Sequence, residues 1–463
     1  MALPQSPRCF HDAAGEGFSP DATGIENVAA LQLAVDRGGA ITVSRPGVYK
    51  VAGTVYIGSE TSLIFGAGVF VQKVDEKGPF THVLLNKGAR TKTWDRNIRV
   101  SGLQIIVNGI DHAMGEIYGL RGQLAFFYIT DLRIDRFRCM DLGKSQFAIH
   151  VCTFEDIIID DVMVTGDKDG VHLGKGKRFT VRNGVFQTYD DAVALNAHDY
   201  ASGNPELGWI EDGVVENCHD LPDDKEPVGF FCRILAGGWI DWRPGMEVQN
   251  SDSVVSNGRL YRVQAKPDGR VYKSNTKPVH ETGNQVLDEI NWGAVQDEVV
   301  YSAGVRNVVF RDIFLKKPRI GFSVHFDTDR FSRSYYPGAE IPVQEQLLFD
   351  NIMVIHDQPS DLISIDTPVD VLAITHSSIR NNRIFFRAKN AMADSLKTRI
   401  SFLGCVFRQD GEMELVVNSV ENKEISLKTS SSIELHDDFK ARVTPGNGSI
   451  AVDSDLTGLT KEP

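Results

Sequence analysis

The sequence predicts an all-β chain wound as a right-handed parallel β-helix, a solenoid with a short N-terminal capping helix and a β-hairpin insertion. Three observations predict it. Short β-branched runs recur along most of the chain, with polar or Gly-rich breaks between them. The two copies that overlay best lie 22 residues apart, a solenoid spacing. The apolar period within each copy is two and not 3.6, which disfavours a helical solenoid. A propeller would need about 40 residues per blade and comes second.

Each element follows from its residues. Residues 25–36 have helical spacing, and Pro46-Gly47-Val48-Tyr49 and the strand-like Ser62-Leu63-Ile64-Phe65 follow. Residues 10–70 are therefore read as a cap and first coils, because an open solenoid end exposes strand edges and core. Strand–bend–strand copies occur at 97–107, 132–137, 154–162, 179–186, 305–314, 347–354 and 399–407. Asp169-Gly170-Val171-His172-Leu173-Gly174 overlays Asp191-Ala192-Val193-Ala194-Leu195-Asn196, with Phe147-Ala148-Ile149-His150-Val151-Cys152 one coil earlier. Ile149, Val171 and Val193 then stack inward, as do Val151, Leu173 and Leu195, while His150, His172 and Ala194 point outward.

Residues 199–304 interrupt the period. Residues 258–273 alternate around Pro267-Asp268-Gly269 and read as a hairpin. Residues 235–300 are taken as an insertion walling a cleft, and 395–463 as C-terminal coils and tail. The 463 residues then make one elongated domain, against the roughly three that length alone suggests.

Lys plus Arg number 49 and Asp plus Glu 62, giving a net charge of −13. That balance argues against a nucleic-acid binder and, more weakly, against an anionic membrane partner. No apolar run approaches the roughly 18 residues of a membrane span. The six cysteines are scattered, without a zinc spacing, and read as buried free thiols. No metal or cofactor is expected, and the oligomeric state is not specified. No signal peptide is visible, so the expected location is secreted or periplasmic if a signal was removed, and cytoplasmic otherwise.

The chemistry concentrates in Asp167-Lys168-Asp169-Gly170, followed one coil later by Tyr189-Asp190-Asp191-Ala192. Adjacent coils lie about 4.8 Å apart, so Asp169, Asp190 and Asp191 share one patch. Crowded carboxyls raise at least one pKa, which sets a general acid beside a general base, the pair that glycoside hydrolysis needs. The alternative is that these Asp residues cap turns.

Together these features resemble the pectate-lyase-like β-helix proteins, through the capping helix and the Pro-Gly-x-Tyr opening. Within them they resemble the polygalacturonase-type glycoside hydrolases of family 28. That family carries Asn-Thr-Asp-Gly, Gly-Asp-Asp, Gly-His-Gly and Arg-Ile-Lys. Lys168-Asp169-Gly170 stands in the first motif and Tyr189-Asp190-Asp191 in the second. The resemblance implies that Asp190 protonates the leaving oxygen and that Asp169 and Asp191 activate water, with inversion. No Gly-His-Gly follows; His198 is the nearest histidine. Cys232-Arg233-Ile234-Leu235 keeps Arg233 but lacks the lysine, which leaves room for a neutral or differently charged sugar.

Further substrate-binding candidates are His150, His172, His325 and Arg330, with Trp239 and Trp242 as stacking faces for sugar rings. The leading expectation is an inverting, exo-acting hydrolase of a poly- or oligosaccharide, with a carbohydrate as its partner. A lyase on the same fold, using Lys168, Lys175, Lys177 or Arg178, and a non-catalytic glycan binder of tailspike or adhesin type are the alternatives.

Overall fold

Polar corners and apolar strands alternate throughout the computed structural model, which describes residues 10–112, 115–226, 228–328, 332–387, 397–408 and 411–461. Among these residues, 31 strands join one sheet. Its pairings stack successive coils in parallel, as in Phe147–Gly166 on Gly176–Thr188 and Gly176–Thr188 on Ile210–Asp220.

The corners are set by left-handed residues. Asp131, Asp156, Arg178, Asp212, Asn307 and Gln346 have φ of 51, 56, 57, 56, 56 and 51° and fall at equivalent registers. A second column contains Arg136, Asp161, Asn183, Asn217, Asp312 and Asn351, at 56, 53, 55, 48, 55 and 53°. Asn and Asp tolerate this region better than most side chains. Their side chains also bond between coils: Asn217 donates to Asn183 at 2.7 Å and Asn351 to Asp312 at 2.6 Å.

One continuous apolar core runs inside the coils from Ala13 to Leu456. The N-terminal helix Gly24–Asp36 covers its first rungs, buries Ala30, Leu31, Ala34 and Val35, and starts on a capping box between Thr23 and Glu26. No helix among the described residues is long and apolar enough to cross a membrane.

The ladder that positions the site runs through Phe147–Gly166, Val171–Leu173, Val193–Asn196, Cys232–Leu235 and Phe322–His325. Ile149, Val171, Val193 and Cys232 stack on one another, and His150, His172, Ala194 and Arg233 form the neighbouring column.

Between Cys232–Leu235 and Phe322–His325 the chain leaves the coil. It builds a five-stranded sheet with its own core of Val248, Val254, Tyr261 and Trp292. The hairpin expected around Pro267 is not formed. Arg259–Val263 instead pairs back on Ser253–Ser256, while Tyr272–Ser274 pairs with Met246–Val248. Asn257 and Gly258, at φ 49 and 71°, supply the two left-handed residues of a tight hairpin turn. That Asn-Gly signal outweighs Pro-Asp-Gly.

Candidate active site

The stacking arithmetic places Asp169 and Asp191 at equivalent points of adjacent coils. Ala148 N–H donates to Asp169 O at 3.0 Å, and Gly170 N–H donates to Asp191 O at 3.0 Å. Asp190 precedes Asp191, and one carboxylate oxygen from each of the three lies within 4.8 Å of the others. Gly229 backs the pair: a Cβ there would meet Asp190 C at 2.4 Å and Asp191 N at 2.5 Å, so only glycine lets this loop approach.

The three carboxyls live in different surroundings. Asp169 is buried, and its Oδ2 takes a 2.8 Å hydrogen bond from His172 Nδ1. Burial pushes its pKa up, but the Lys168 charge and the His172 hydrogen bond outweigh burial and hold it below the usual range. Asp191 is 1% exposed. Its Oδ1 accepts from Phe230 N–H at 2.9 Å, and its Oδ2 has no hydrogen-bond partner. Burial first, then the charges of Asp190 and Asp169, raise it well above the carboxylate range. Asp190 faces the cleft with 21% of its side chain exposed, and the Lys168 ammonium sits on its Oδ2.

The backbone around the pair is fixed from a later coil. Arg319 donates to Asp190 O at 2.8 Å while forming a two-point bond with Asp220 at 2.9 and 2.7 Å. Lys317 donates to Thr188 O at 2.7 Å.

Asp190, Lys168, Tyr189, Lys144, Lys225 and neighbours line a cleft of about 510 Å³. Beyond Lys144 and Lys168 it adjoins a cavity of about 340 Å³ lined by Arg121, Tyr200 and Ser202, with Asn250, Ala265 and Pro267 of the insertion on one side. The three carboxylates are spaced closely enough for a cation, and the Lys168 ammonium already lies among them, on Asp190 and 3.9 Å from Asp169 Oδ1.

Several expected sugar contacts are placed elsewhere. His150 and His172 are 0% exposed. They point away from the core, as their register requires, but the 197–206 segment covers them. His150 Nε2 lies 3.0 Å from Asn204 Oδ1, and His172 is stacked on Phe147 with ring centroids 4.0 Å apart. His172 therefore acts on Asp169 and not on substrate. His198 is buried too, and burial followed by the Arg262 charge lowers its pKa to about 3. Trp239 is 1% exposed, with its Nε1 donating to Val300 O at 2.6 Å. Trp242 packs on the insertion core and donates to Ser274 Oγ at 2.8 Å. Both indoles hold the insertion together and offer no face to the cleft.

Arg233 Nη2 donates to both carboxylate oxygens of Asp327, at 2.8 and 2.9 Å. His325 lies 3.3 Å from the same carboxylate. Arg330 lies outside the described residues. Of the basic residues considered for elimination, Lys175 pairs with Glu298, and Lys177 and Arg178 pair with Glu155.

Sequence reasoning missed Arg121, Lys144, Tyr200 and Arg319. Arg319 has no local signal, being 129 residues from Asp190. It also undervalued Lys168, although 168 precedes 190 by the same 22 residues that stack 169 on 191.

No protein-family model matches the chain, and no curated protein matches it by sequence. Solved structures do match it. The family 28 exopolygalacturonase of Yersinia enterocolitica is similar at 10% identity over 97% of this chain and 79% of its own, with a TM-score of 0.51. A mutant tailspike protein of the E. coli bacteriophage HK620, solved with a pentasaccharide, is similar at 10% identity over 94% of this chain and 68% of its own, with a TM-score of 0.50. At that identity the likeness shows the fold alone, a right-handed parallel β-helix.

Proposed function

We propose that the protein is a glycoside hydrolase that cleaves a polysaccharide or its oligosaccharides at Asp169, Asp190 and Asp191. The observation that carries this reading is three carboxyls gathered within 4.8 Å in unlike surroundings: Lys168 and His172 hold Asp169 below the usual carboxylate range, burial and its two acidic neighbours raise Asp191 above it, and Asp190 faces the cleft. Glycoside hydrolysis needs one carboxyl as acid and another as base.

Asp190 gives its proton to the glycosidic oxygen as the carbon–oxygen bond breaks and its electron pair stays on that oxygen. A water adds to the anomeric carbon and loses its proton to Asp169, whose Oδ1 is free to accept it. Asp191 holds the same water, and exchange with solvent resets the cluster. Inversion is carried from the family resemblance. The spacing within 4.8 Å supports retention as a second reading, because a water-spanning pair is usually about 6.5–9.5 Å apart and a nucleophilic pair about 5 Å. Proton NMR of the first-formed anomer decides between them.

Asn250, Ala265 and Pro267 of the insertion close one side of the cavity beside Lys168, which supports exo action. Arg121, Lys144 and Lys168 line that cavity without a facing carboxylate, which suits an anionic substituent on the sugar. A lyase is disfavoured. Burial lowers the Lys168 pKa, but the Asp169, Tyr200 and Asp190 charges outweigh it and keep the ammonium protonated, so it is a poor base for elimination.

The test is a glycan panel read for new reducing ends, with Asp190→Asn beside the wild type. The expected result is turnover by the wild type and its loss in the variant, with the circular dichroism unchanged. Full activity in Asp190→Asn, products absorbing as unsaturated uronates, or binding without cleavage across the panel would each overturn the assignment.

A further inference from the structure

Trp94 and Trp209 are the two tryptophans that neither the coil core nor the insertion core takes up. Both line a groove of about 380 Å³ that shares no lining residue with the aspartate cleft or the cavity beside it. Asp169 precedes the strand Val171–Leu173 and Lys175 of the groove follows it. The two sites therefore lie at opposite ends of one rung, at most about 20 Å apart along the chain. The 197–206 segment lies between them: Asn204 reaches His150, and Glu206 lies behind the groove, bonded to Tyr128.

The groove follows the coil repeat. Asp95, Ile129, Phe154, Gly176 and Ile210 are register partners on successive coils. The residues one position before them, Trp94, Tyr128, Thr153, Lys175 and Trp209, therefore form a column along the solenoid axis, and all five line the groove. Four steps of about 4.8 Å put Trp94 and Trp209 about 19 Å apart along that axis. At one end Trp94, 47% exposed, packs edge-to-face on Tyr128 with centroids 5.6 Å apart. At the other end Trp209 sits over Gly304, where a Cβ would meet its ring at 2.8 Å, with the Arg306 guanidinium on the ring. The column is held from behind. Glu206, with its side chain 0% exposed, accepts from Tyr128 Oη and Thr153 Oγ1, both at 2.8 Å, and from Lys92 Nζ at 2.9 Å. Tyr128 and Thr153 have φ of 58 and 51°, a left-handed conformation that costs an aromatic or β-branched residue more than the Asn and Asp of the corners.

The charges of the groove cancel in pairs. Lys175 pairs with Glu298, Lys177 with Glu155 and Glu211 with Arg306. An ionic ligand gains little there, unlike in the cavity of Arg121 and Lys144. What the groove offers is ring faces with polar groups beside them. An uncharged pyranose matches both: its C–H face is apolar and slightly positive and suits the negative face of an aromatic ring, while its hydroxyls reach the paired carboxylates and ammonium groups. We propose that the groove is a second, non-catalytic glycan site that takes a chain of uncharged sugar units laid along the solenoid axis from Trp94 to Trp209. It holds a polysaccharide against the coils at the far end of the rung that carries Asp169. The carbohydrate reading above supplies the class of ligand, and no step of hydrolysis enters the proposal.

The test reads binding in Asp190→Asn protein, where a bound chain is not cut. Cellohexaose, mannohexaose, xylohexaose and laminarihexaose are titrated by calorimetry into that protein and into the same protein carrying Trp94→Ala, Trp209→Ala or Trp209→Phe, with the matching disaccharides alongside. A hexaose is expected to bind about tenfold or more tighter than its disaccharide, because only the longer chain meets both ends of the column. Trp94→Ala and Trp209→Ala should each weaken it about tenfold, and Trp209→Phe about threefold, with the circular dichroism unchanged. Absence of binding by all four hexaoses, binding that survives both alanine replacements, or equal affinity for hexaose and disaccharide overturns the proposal. So does a dimer in sedimentation that Trp94→Ala dissolves, which would give the groove to a second copy of this chain. Turnover on the glycan panel is scored separately with the wild type, so failure of the hydrolase reading and failure of the second site are distinguishable.

Discussion

Replacing Asp191 by Asn should stabilise the fold at neutral pH while removing catalysis. The wild-type carboxyl is 1% exposed, with an unpartnered Oδ2 facing two other carboxyls. The replacement keeps the Oδ1 that accepts from Phe230. In place of the second oxygen it puts an amide that can donate to the free Oδ1 of Asp169. An unsatisfied buried polar group costs about 1–3 kcal/mol, and that range is the expected gain. The sign with pH follows from the raised folded-state pKa. Between the unfolded carboxyl value of about 3.9 and the raised native value, the folded wild type binds more protons than the unfolded chain, so its stability falls as pH rises through that window. The amide of the Asp191→Asn variant does not titrate and has no such dependence. Urea unfolding, read by circular dichroism, should show a small gap between variant and wild type near pH 4 and a wide one at pH 7. A variant less stable than the wild type at pH 7, or a gap that does not change with pH, would refute the argument.

Other perturbations act on neighbouring parts. Gly229→Ala should displace Asp190 and Asp191, because its Cβ would meet their backbone at 2.4–2.5 Å; on the glycan the panel identifies, kcat should fall at least tenfold with the circular dichroism preserved. Arg233→Met strands the Asp327 carboxylate that Arg233 and His325 together hold below the usual range against burial. Urea unfolding should show a loss of about 3–5 kcal/mol, partly relieved in the Arg233→Met, Asp327→Asn double variant. Trp239→Phe should lower thermal stability by cutting the indole bond to Val300 and leave glycan affinity, measured by calorimetry, unchanged. Leu173→Ala should cost about 2–5 kcal/mol, as for other buried leucines, in the same unfolding assay.

The fold was legible because its rule is local and repeats. Once Val171 and Val193 are laid on one another, the register of the neighbouring rungs follows, and so does the meeting of Asp169 with Asp191. What was not legible came from segments that obey no repeat. His150 and His172 do point out of the coil, but exposure depends on Asn204 and Asp199 folding back over them, and no pattern announces that. Trp239 and Trp242 resembled sugar platforms because neither the coil core that takes Trp239 nor the insertion's own small core that takes Trp242 was foreseen at these positions. The insertion core forms from residues whose pairing is set by Asn257-Gly258 and not by the coil. Arg319 closes the site from a distant coil and has no signature of its own.

The insertion also imposes an order of assembly. Cys232–Leu235 and Phe322–His325 are adjacent rungs, yet the whole insertion must leave the ribosome between them. Coils through Val193–Asn196 can stack as they are synthesised, so the three aspartates meet early. Arg319 and Asp327 arrive only after the insertion, and until then Asp220 lacks the guanidinium of Arg319 and Arg233 lacks the carboxylate of Asp327. A nascent chain halted in the insertion would hold the three aspartates together without the Arg319 contact that fixes the Asp190 backbone, so the cluster is completed only when the later coils dock.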